Sequence, residues 1–296
     1  MNYLEKYDYS PSAPEIGSSI QAIAANLDNM MSEEALKLCF SIMDLTTLHS
    51  QDTESSVIKL VQKANMLKEE YPSYPLPASI CVFPNFASVV RDYRVSPELH
   101  VTTVAGCFPT SQSWPEVKLL ECRKAVESGA DEIDIVLALN AFMAGDYERA
   151  YSEIAAIRSA IDEEAARQNR EVVLKVILET GLLVTPEAIA QASFLAMEAG
   201  ADFIKTSTGK VEVNATPMAA WVMCECIKKF YDYTGRKVGF KAAGGISNAK
   251  DAMCYYYIVS SVLGKAWLDK KYFRFGVSRL GNSLMSAIEQ KTVNFF

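Results

Sequence analysis

The stretch EAGADFIKTSTGKVEVNATP, residues 198–217, closes one helix, makes one short strand and opens the next helix. Gly200 is the kind of residue that ends a helix in a left-handed turn. Phe203–Thr206 is a short apolar run bounded by turn residues, which reads as a buried strand. Thr216-Pro217 then supplies a capping side chain and a proline in the first helical turn. The same punctuation recurs upstream, where Ser-Gly-Ala-Asp (128–131) ends a helical stretch before the apolar run Glu132–Ala138.

Reading outward from these two units, strands are expected at Ser41–Thr46, Ser79–Phe83, His100–Gly106, Glu132–Ala138, Val172–Leu178, Phe203–Thr206, Val238–Ala242 and Ile258–Leu263. Helical stretches fall at 52–70, 115–129, 146–169, 186–199, 217–233, 247–256 and 271–290, with Trp114-Pro115 and Thr185-Pro186 as further starts. Short buried strands alternating with longer amphipathic helices give a parallel sheet, and eight strands is the number that closes a (β/α)8 barrel. Residues 1–35 read as an N-terminal extension with a helix near 17–30, and 36–296 as one barrel domain.

The chain has 296 residues, half of them apolar and 22% charged, enough to bury a sizeable core. A net charge of −7 argues against nucleic acid or an anionic membrane as partner. No apolar run is long enough to span a bilayer, and the N-terminus lacks the basic and apolar segments of a secretory signal, so a cytoplasmic protein is expected. Seven scattered cysteines read as reduced thiols, Cys224 and Cys226 among them as two helical thiols. With only His49 and His100, a metal site is not expected, and no cofactor is called for.

Polar residues at strand ends are where a barrel keeps its chemistry. Lys205 and Lys241 each follow a largely apolar triplet, Lys175 interrupts Val-Val-Leu-Lys-Val-Ile-Leu (172–178), and Asp134 lies between Ile133 and Ile135. Strand alternation puts Lys175 on the face of Val173 and Ile177, inside the barrel. Asp131 and Glu132 read as belonging to the loop that enters the fourth strand. An ordinary lysine titrates near ~10.4, and burial beside another cation disfavours its ammonium by up to ~3 units or more, which yields an amine nucleophile for carbonyl substrates. The turns Ala-Ala-Gly-Gly-Ile-Ser (242–247) and Phe-Gly-Val-Ser-Arg-Leu (275–280) follow the seventh and eighth strands, where barrels hold phosphate on backbone amides.

The stretches MDLTTL (43–48), ICVFPNF (80–86), GADEIDIV (129–136), LKVILETG (174–181), GADFIKTSTGKVEVNATP (200–217), GFKAAGG (239–245) and RFGVS (274–278) together resemble the deoxyribose-phosphate aldolases, a class I aldolase family. The resemblance runs from about Ser41 to Ser283. It implies a cofactor-independent, reversible cleavage of 2-deoxy-D-ribose 5-phosphate to glyceraldehyde 3-phosphate and acetaldehyde, in deoxyribonucleoside catabolism. By the resemblance Lys205 is the Schiff-base nucleophile, Lys241 the cation that lowers its pKa, and Asp134 the acid/base that moves protons with a water. Lys210, Gly244, Gly245 and Ser278 are implied around the phosphate, with Asp44 and Thr46 lining the site; Thr208, Gly276 and Arg279 are expected beside them from the reading of the loops themselves. Lys175 stands behind them, and Cys81 is either a site-adjacent thiol open to aldehyde side products or a packed strand thiol. The implied partner is a small phosphorylated sugar, and the implied assembly a homodimer. Other readings are an aldolase for a different aldehyde pair and a sugar-phosphate-binding barrel without turnover. Three departures stand out: the chain ends Val-Asn-Phe-Phe where some relatives carry a terminal tyrosine, Arg279 replaces a small hydroxyl residue, and Ala242 replaces a frequent proline.

Overall fold

The computed structural model describes residues 2–27 and 30–296. Its centre is a closed barrel of eight parallel strands, each paired with its sequence neighbours and the last with the first. The strands are β1 (Met43–Thr46), β2 (Ser79–Val82), β3 (His100–Val104), β4 (Glu132–Val136), β5 (Val173–Ile177), β6 (Phe203–Lys205), β7 (Gly239–Ala243) and β8 (Phe273–Val277). Around them lie α4 (Glu54–Glu70), α5 (Ala87–Tyr93), α6 (Pro115–Glu127), α8 (Tyr147–Arg167), α10 (Pro186–Glu198), α11 (Pro217–Thr234), α12 (Ala249–Val262) and α13 (Leu280–Glu289). Short helices α7 (Leu139–Met143) and α9 (Thr180–Leu183) follow β4 and β5, while α1 (Tyr3–Lys6), α2 (Ala13–Asn26) and α3 (Glu33–Ser41) precede the barrel.

The expected (β/α)8 architecture is therefore the one observed, with most elements displaced by one or two residues. The helix starts behave as read: the Thr185 hydroxyl accepts from the Ala188 amide and the Thr216 hydroxyl from the Ala219 amide. Trp114 precedes Pro115 without any side-chain cap.

The eighth strand is the clear correction. Ile258–Leu263 is not a strand: it forms the end of α12, where Ala252, Tyr255, Ile258, Val259 and Val262 are buried at helical spacing. The strand lies instead at Phe273–Val277, inside what reads as the start of a helix over 271–290, so Phe275–Val277 end the strand rather than follow it. Short apolar runs are ambiguous between strand and buried helix, and Arg274 and Gly276 hide the apolar character of the true strand. The helix expected near 17–30 is observed as α2 at Ala13–Asn26; its expected end overlaps residues 28–29, which lie outside the described residues.

The N-terminal segment packs on α10 and α11. Tyr7 stacks flat on Phe194 at 4.2 Å, its hydroxyl donates to Glu198, and the Tyr9 hydroxyl donates to Glu225 at 2.7 Å. This cover explains why α10 is apolar nearly all round.

Inside the barrel the strand period of two decides which side chains meet. Phe203 and Gly239 are register partners, and a Cβ on Gly239 would lie 2.4–2.6 Å from the Phe203 ring. The glycine makes room for that ring, over which the Arg274 guanidinium sits at 5.8 Å. Replacing Gly239 by alanine is expected to lower unfolding stability by about 1–3 kcal/mol through overpacking. A urea denaturation midpoint unchanged from the parent chain would contradict this.

Candidate active site

The residues that interrupt the apolar strands converge in the barrel. Asp44 (β1), Glu132 and Asp134 (β4), Lys175 (β5), Lys205 (β6), Lys241 (β7) and Arg274 (β8) are all buried. The Asp134 carboxylate is the hub. Its Oδ2 accepts from both Lys205 Nζ and Lys241 Nζ at 2.8 Å, and its Oδ1 accepts from Lys175 Nζ at 2.9 Å. The two lysines sharing Oδ2 are thus no farther apart than twice that distance. Lys241 also donates to Asp44, and Arg274 donates to Asp44 Oδ1 at 2.6 Å and to Glu132 Oε1 at 2.7 Å.

The four cations are not held alike. Lys175 meets Glu132, Asp134 and, at 3.8 Å, Asp44. Lys241 meets Asp44 and Asp134. Among the described residues Lys205 meets Asp134 alone, through an oxygen already engaged by Lys241. The ionisation follows this order. Burial pushes Lys205 below the ordinary lysine range, with Lys241 adding to the push and Asp134 opposing it. Burial acts on Lys241 and Lys175 in the same direction, but their carboxylates outweigh it and hold both above that range. Burial would raise Asp134, yet the Lys175, Lys205 and Lys241 ammoniums hold it well below the usual carboxylate range. Charged pairs at this depth survive because every partner is satisfied.

Above Lys205 opens a cleft of about 240 Å³ lined by Thr46, Leu48, Lys205, Thr208, Lys210 and the two glycine turns. Gly244, Gly245, Gly276, Ser278 and Arg279 border it as well, and so does His49. The structure thus brings Thr46, Thr208, Lys210 and the loop residues to one cleft. Asp44 lies elsewhere, beneath the cleft and fully buried against Lys241 and Arg274, so it does not line the site as expected. Asp134, Lys241 and Lys175 lie beneath Lys205 in the same way, and Cys81 is a buried thiol that burial pushes up in pKa. Gly244 has φ +84°, and a Cβ there would fall 2.6 Å from Asn214, so only glycine lets this turn close. Arg279 stands at the N-terminus of α13, where backbone amides and the helix dipole favour an anion.

Sequence reasoning misplaced Glu132 and passed over Arg274. Glu132 is a buried member of β4, not of its entry loop, and its carboxylate is claimed by Arg274, Lys175 and His100. The alternation that selects Asp134 also selects Glu132, two residues earlier on the same face. Glu179 was missed too. It adopts a left-handed backbone after β5 (φ +55°) and accepts from the Thr208 amide at 3.1 Å and from its hydroxyl, so it braces the loop after β6.

A model of the DeoC/LacD family of aldolases matches residues 39–255. The chain belongs to that family. This DeoC/LacD aldolase is a carbon–carbon lyase whose matched region stops short of β8, so Arg274, Ser278 and Arg279 lie beyond it. It is 37% identical over 268 residues to a Caenorhabditis elegans protein named "Putative deoxyribose-phosphate aldolase", covering 90% of this chain and 86% of that one. It also resembles the deoxyribose phosphate aldolase of Aeropyrum pernix, described as tetrameric, at 26% identity and a TM-score of 0.65, over 94% and 98% of the two chains. A Toxoplasma gondii structure at 22% identity and a TM-score of 0.73, covering 87% and 98%, shares the fold.

The brace on the loop that carries Lys210 is open to test. Thr208→Val removes the hydroxyl from buried Glu179 and from the Lys210 amide. The expected cost is about 1–3 kcal/mol of stability, with Thr208→Ser close to the parent. Equal denaturation midpoints for the valine and serine variants would contradict the assignment.

Proposed function

We propose that this aldolase works through a Schiff base on Lys205 and reversibly cleaves 2-deoxy-D-ribose 5-phosphate into D-glyceraldehyde 3-phosphate and acetaldehyde. One observation carries the reading: among the described residues, Lys205 is the least-paired cation of a buried charge cluster and also the member of that cluster that borders the cleft. In this reading its neutral amine attacks the C1 aldehyde, and loss of water from the carbinolamine leaves a protonated imine. Acetaldehyde retains C1 and C2, so the bond that breaks is C2–C3. Its electron pair flows into the imine as the C3 hydroxyl gives up a proton and glyceraldehyde 3-phosphate departs. The remaining enamine is protonated at C2, and water then releases acetaldehyde and restores Lys205.

In this reading Asp134 passes these protons, which is supported by one of its oxygens touching Lys205 and Lys241 together. Lys241, held charged by two carboxylates, supplies the positive potential that disfavours a second ammonium beside it. The phosphate end is assigned to the cleft mouth, where Lys210, Arg279, Ser278 and the Gly244-Gly245 amides gather. Lys210 also donates to the Leu48 carbonyl, which ties the loop after β6 to the loop after β1. Phe295 packs on Tyr71 and the Phe296 amide donates to Asn282, on the flank of the barrel. Protonation of the enamine is assigned to Asp134 acting through a water. The same reading includes a homodimer as the working assembly.

Acetaldehyde with a hydride donor is expected to fix a reduced two-carbon adduct on Lys205, found by peptide mass mapping, and Lys205→Ala to abolish it. Because the Lys205 pKa lies below that of an ordinary lysine, adduct formation rises with pH and levels off before ordinary lysines deprotonate. An adduct mapped elsewhere, or none, would reject the mechanism. Arg279→Ala or Lys210→Ala is expected to raise KM for the phosphorylated sugar about tenfold, the loss of one charge-assisted contact of roughly 1.5 kcal/mol. Turnover of unphosphorylated deoxyribose stays unchanged; equal effects on both sugars would contradict the phosphate assignment.

A further inference from the structure

Among the described residues, the cluster inside the barrel contains three carboxylates, Asp44, Glu132 and Asp134, against four cations, Lys175, Lys205, Lys241 and Arg274. Seven charges held at this depth interact strongly, and an unmatched one is costly. Losing one proton from a cation removes the mismatch. Arg274 is excluded from that role, because a guanidinium does not deprotonate in proteins.

Lys241 alone does not create the surplus, since two carboxylates flank it. Arg274 does. Its two terminal nitrogens occupy Asp44 Oδ1 and both oxygens of Glu132, at 2.6–3.1 Å. Without it, three carboxylates would face three lysines, and each ammonium would have a counter-ion.

We propose that Arg274 is the positioning residue that makes Lys205 the nucleophile, by taking up carboxylate that would otherwise let all three lysines keep their protons. It is buried and is not among the residues lining the cleft: it is the register partner of Lys241 on the next strand, with its guanidinium over the Phe203 ring. The Lys205 amine is faced by Asp134 from β4, Lys241 from β7 and the Cys81 thiol from β2. His49, Lys210 and Arg279 border the same cleft from its exposed mouth, where water screens them. At the other end His100 bonds Glu132 and opens to solvent, with 38% of its side chain exposed. The proposal rests on the Schiff-base reading.

The test is the rate of acetaldehyde adduct formation on Lys205, measured in cyanoborohydride across a pH series with the full chain. Arg274→Met is expected to shift the rising limb upward by about one pH unit, a tenfold slower reaction on that limb, with the same alkaline plateau. Arg274→Met/Glu132→Gln, which restores the one-charge surplus, is expected to bring the limb back. Glu132→Gln alone enlarges the surplus and is expected to move it down. An Arg274→Met limb that coincides with the parent's overturns the proposal. So does a double variant that stays as displaced as Arg274→Met, because packing rather than charge would then be at work. If circular dichroism shows that Arg274→Met does not fold, Glu132→Gln decides: an unmoved limb rejects the charge balance. No adduct on Lys205 in the parent chain at any pH rejects the Schiff-base reading itself, and the proposal with it.

Discussion

Asp134 Oδ2 accepts from Lys205 and Lys241 at once, and the rest of the site is arranged around that shared oxygen. A carboxylate in this position attracts two ammoniums that repel each other. Its other oxygen is held by Lys175, and Lys241 is held from behind by Asp44. Lys205 is left with the weakest claim on negative charge and the nearest approach to the cleft. An ordinary side chain thus acquires unusual acidity through the distribution of partners, with burial strengthening each attraction and repulsion.

The barrel makes this distribution possible. Parallel strands in register place Lys205 beside Lys241 and Asp134 beside Lys175, and alternation turns all four side chains inward. Where a barrel interior is ordinarily filled by branched apolar residues, this one carries an ionic layer above the Phe203 ring. Two glycines keep it uncrowded: Gly239 admits that ring, and a Cβ on Gly276 would come within 3.1 Å of Lys241 Cε. At the cleft mouth the chemistry changes from buried pairs to solvent-facing donors, as suits an anionic group that enters and leaves.

Much of this was legible in the residues. Lysines ending apolar triplets, an aspartate between two isoleucines and glycine pairs after late strands mark strand ends that carry chemistry. Three features were not. Glu132 sits at the strand entrance, where an acidic residue looks like loop, and only the register shows it directly beside Thr102 and facing Arg274. Arg274 breaks the apolar run of β8, whereas Ile258–Leu263, richer in β-branched residues, belongs to a helix whose buried face imitates a strand. Asp44 reads as site-lining because it lies at the end of a strand with Thr46, yet its side chain is buried against Lys241 and Arg274 and does not border the cleft. In each case the deciding quantity is a pairing across strands, which no single segment encodes.

The central claim, that the barrel holds Lys205 as an amine while its neighbours stay ammonium, is tested most directly by NMR titration of the lysine Cε and Nζ signals in the folded chain. Signals are assigned with single Lys→Arg variants. The account predicts that Lys205 deprotonates at a pH below the ordinary lysine value of ~10.4, while Lys175 and Lys241 remain charged beyond it. A Lys205 signal that titrates with the surface lysines, or that loses its proton after Lys241, would contradict it.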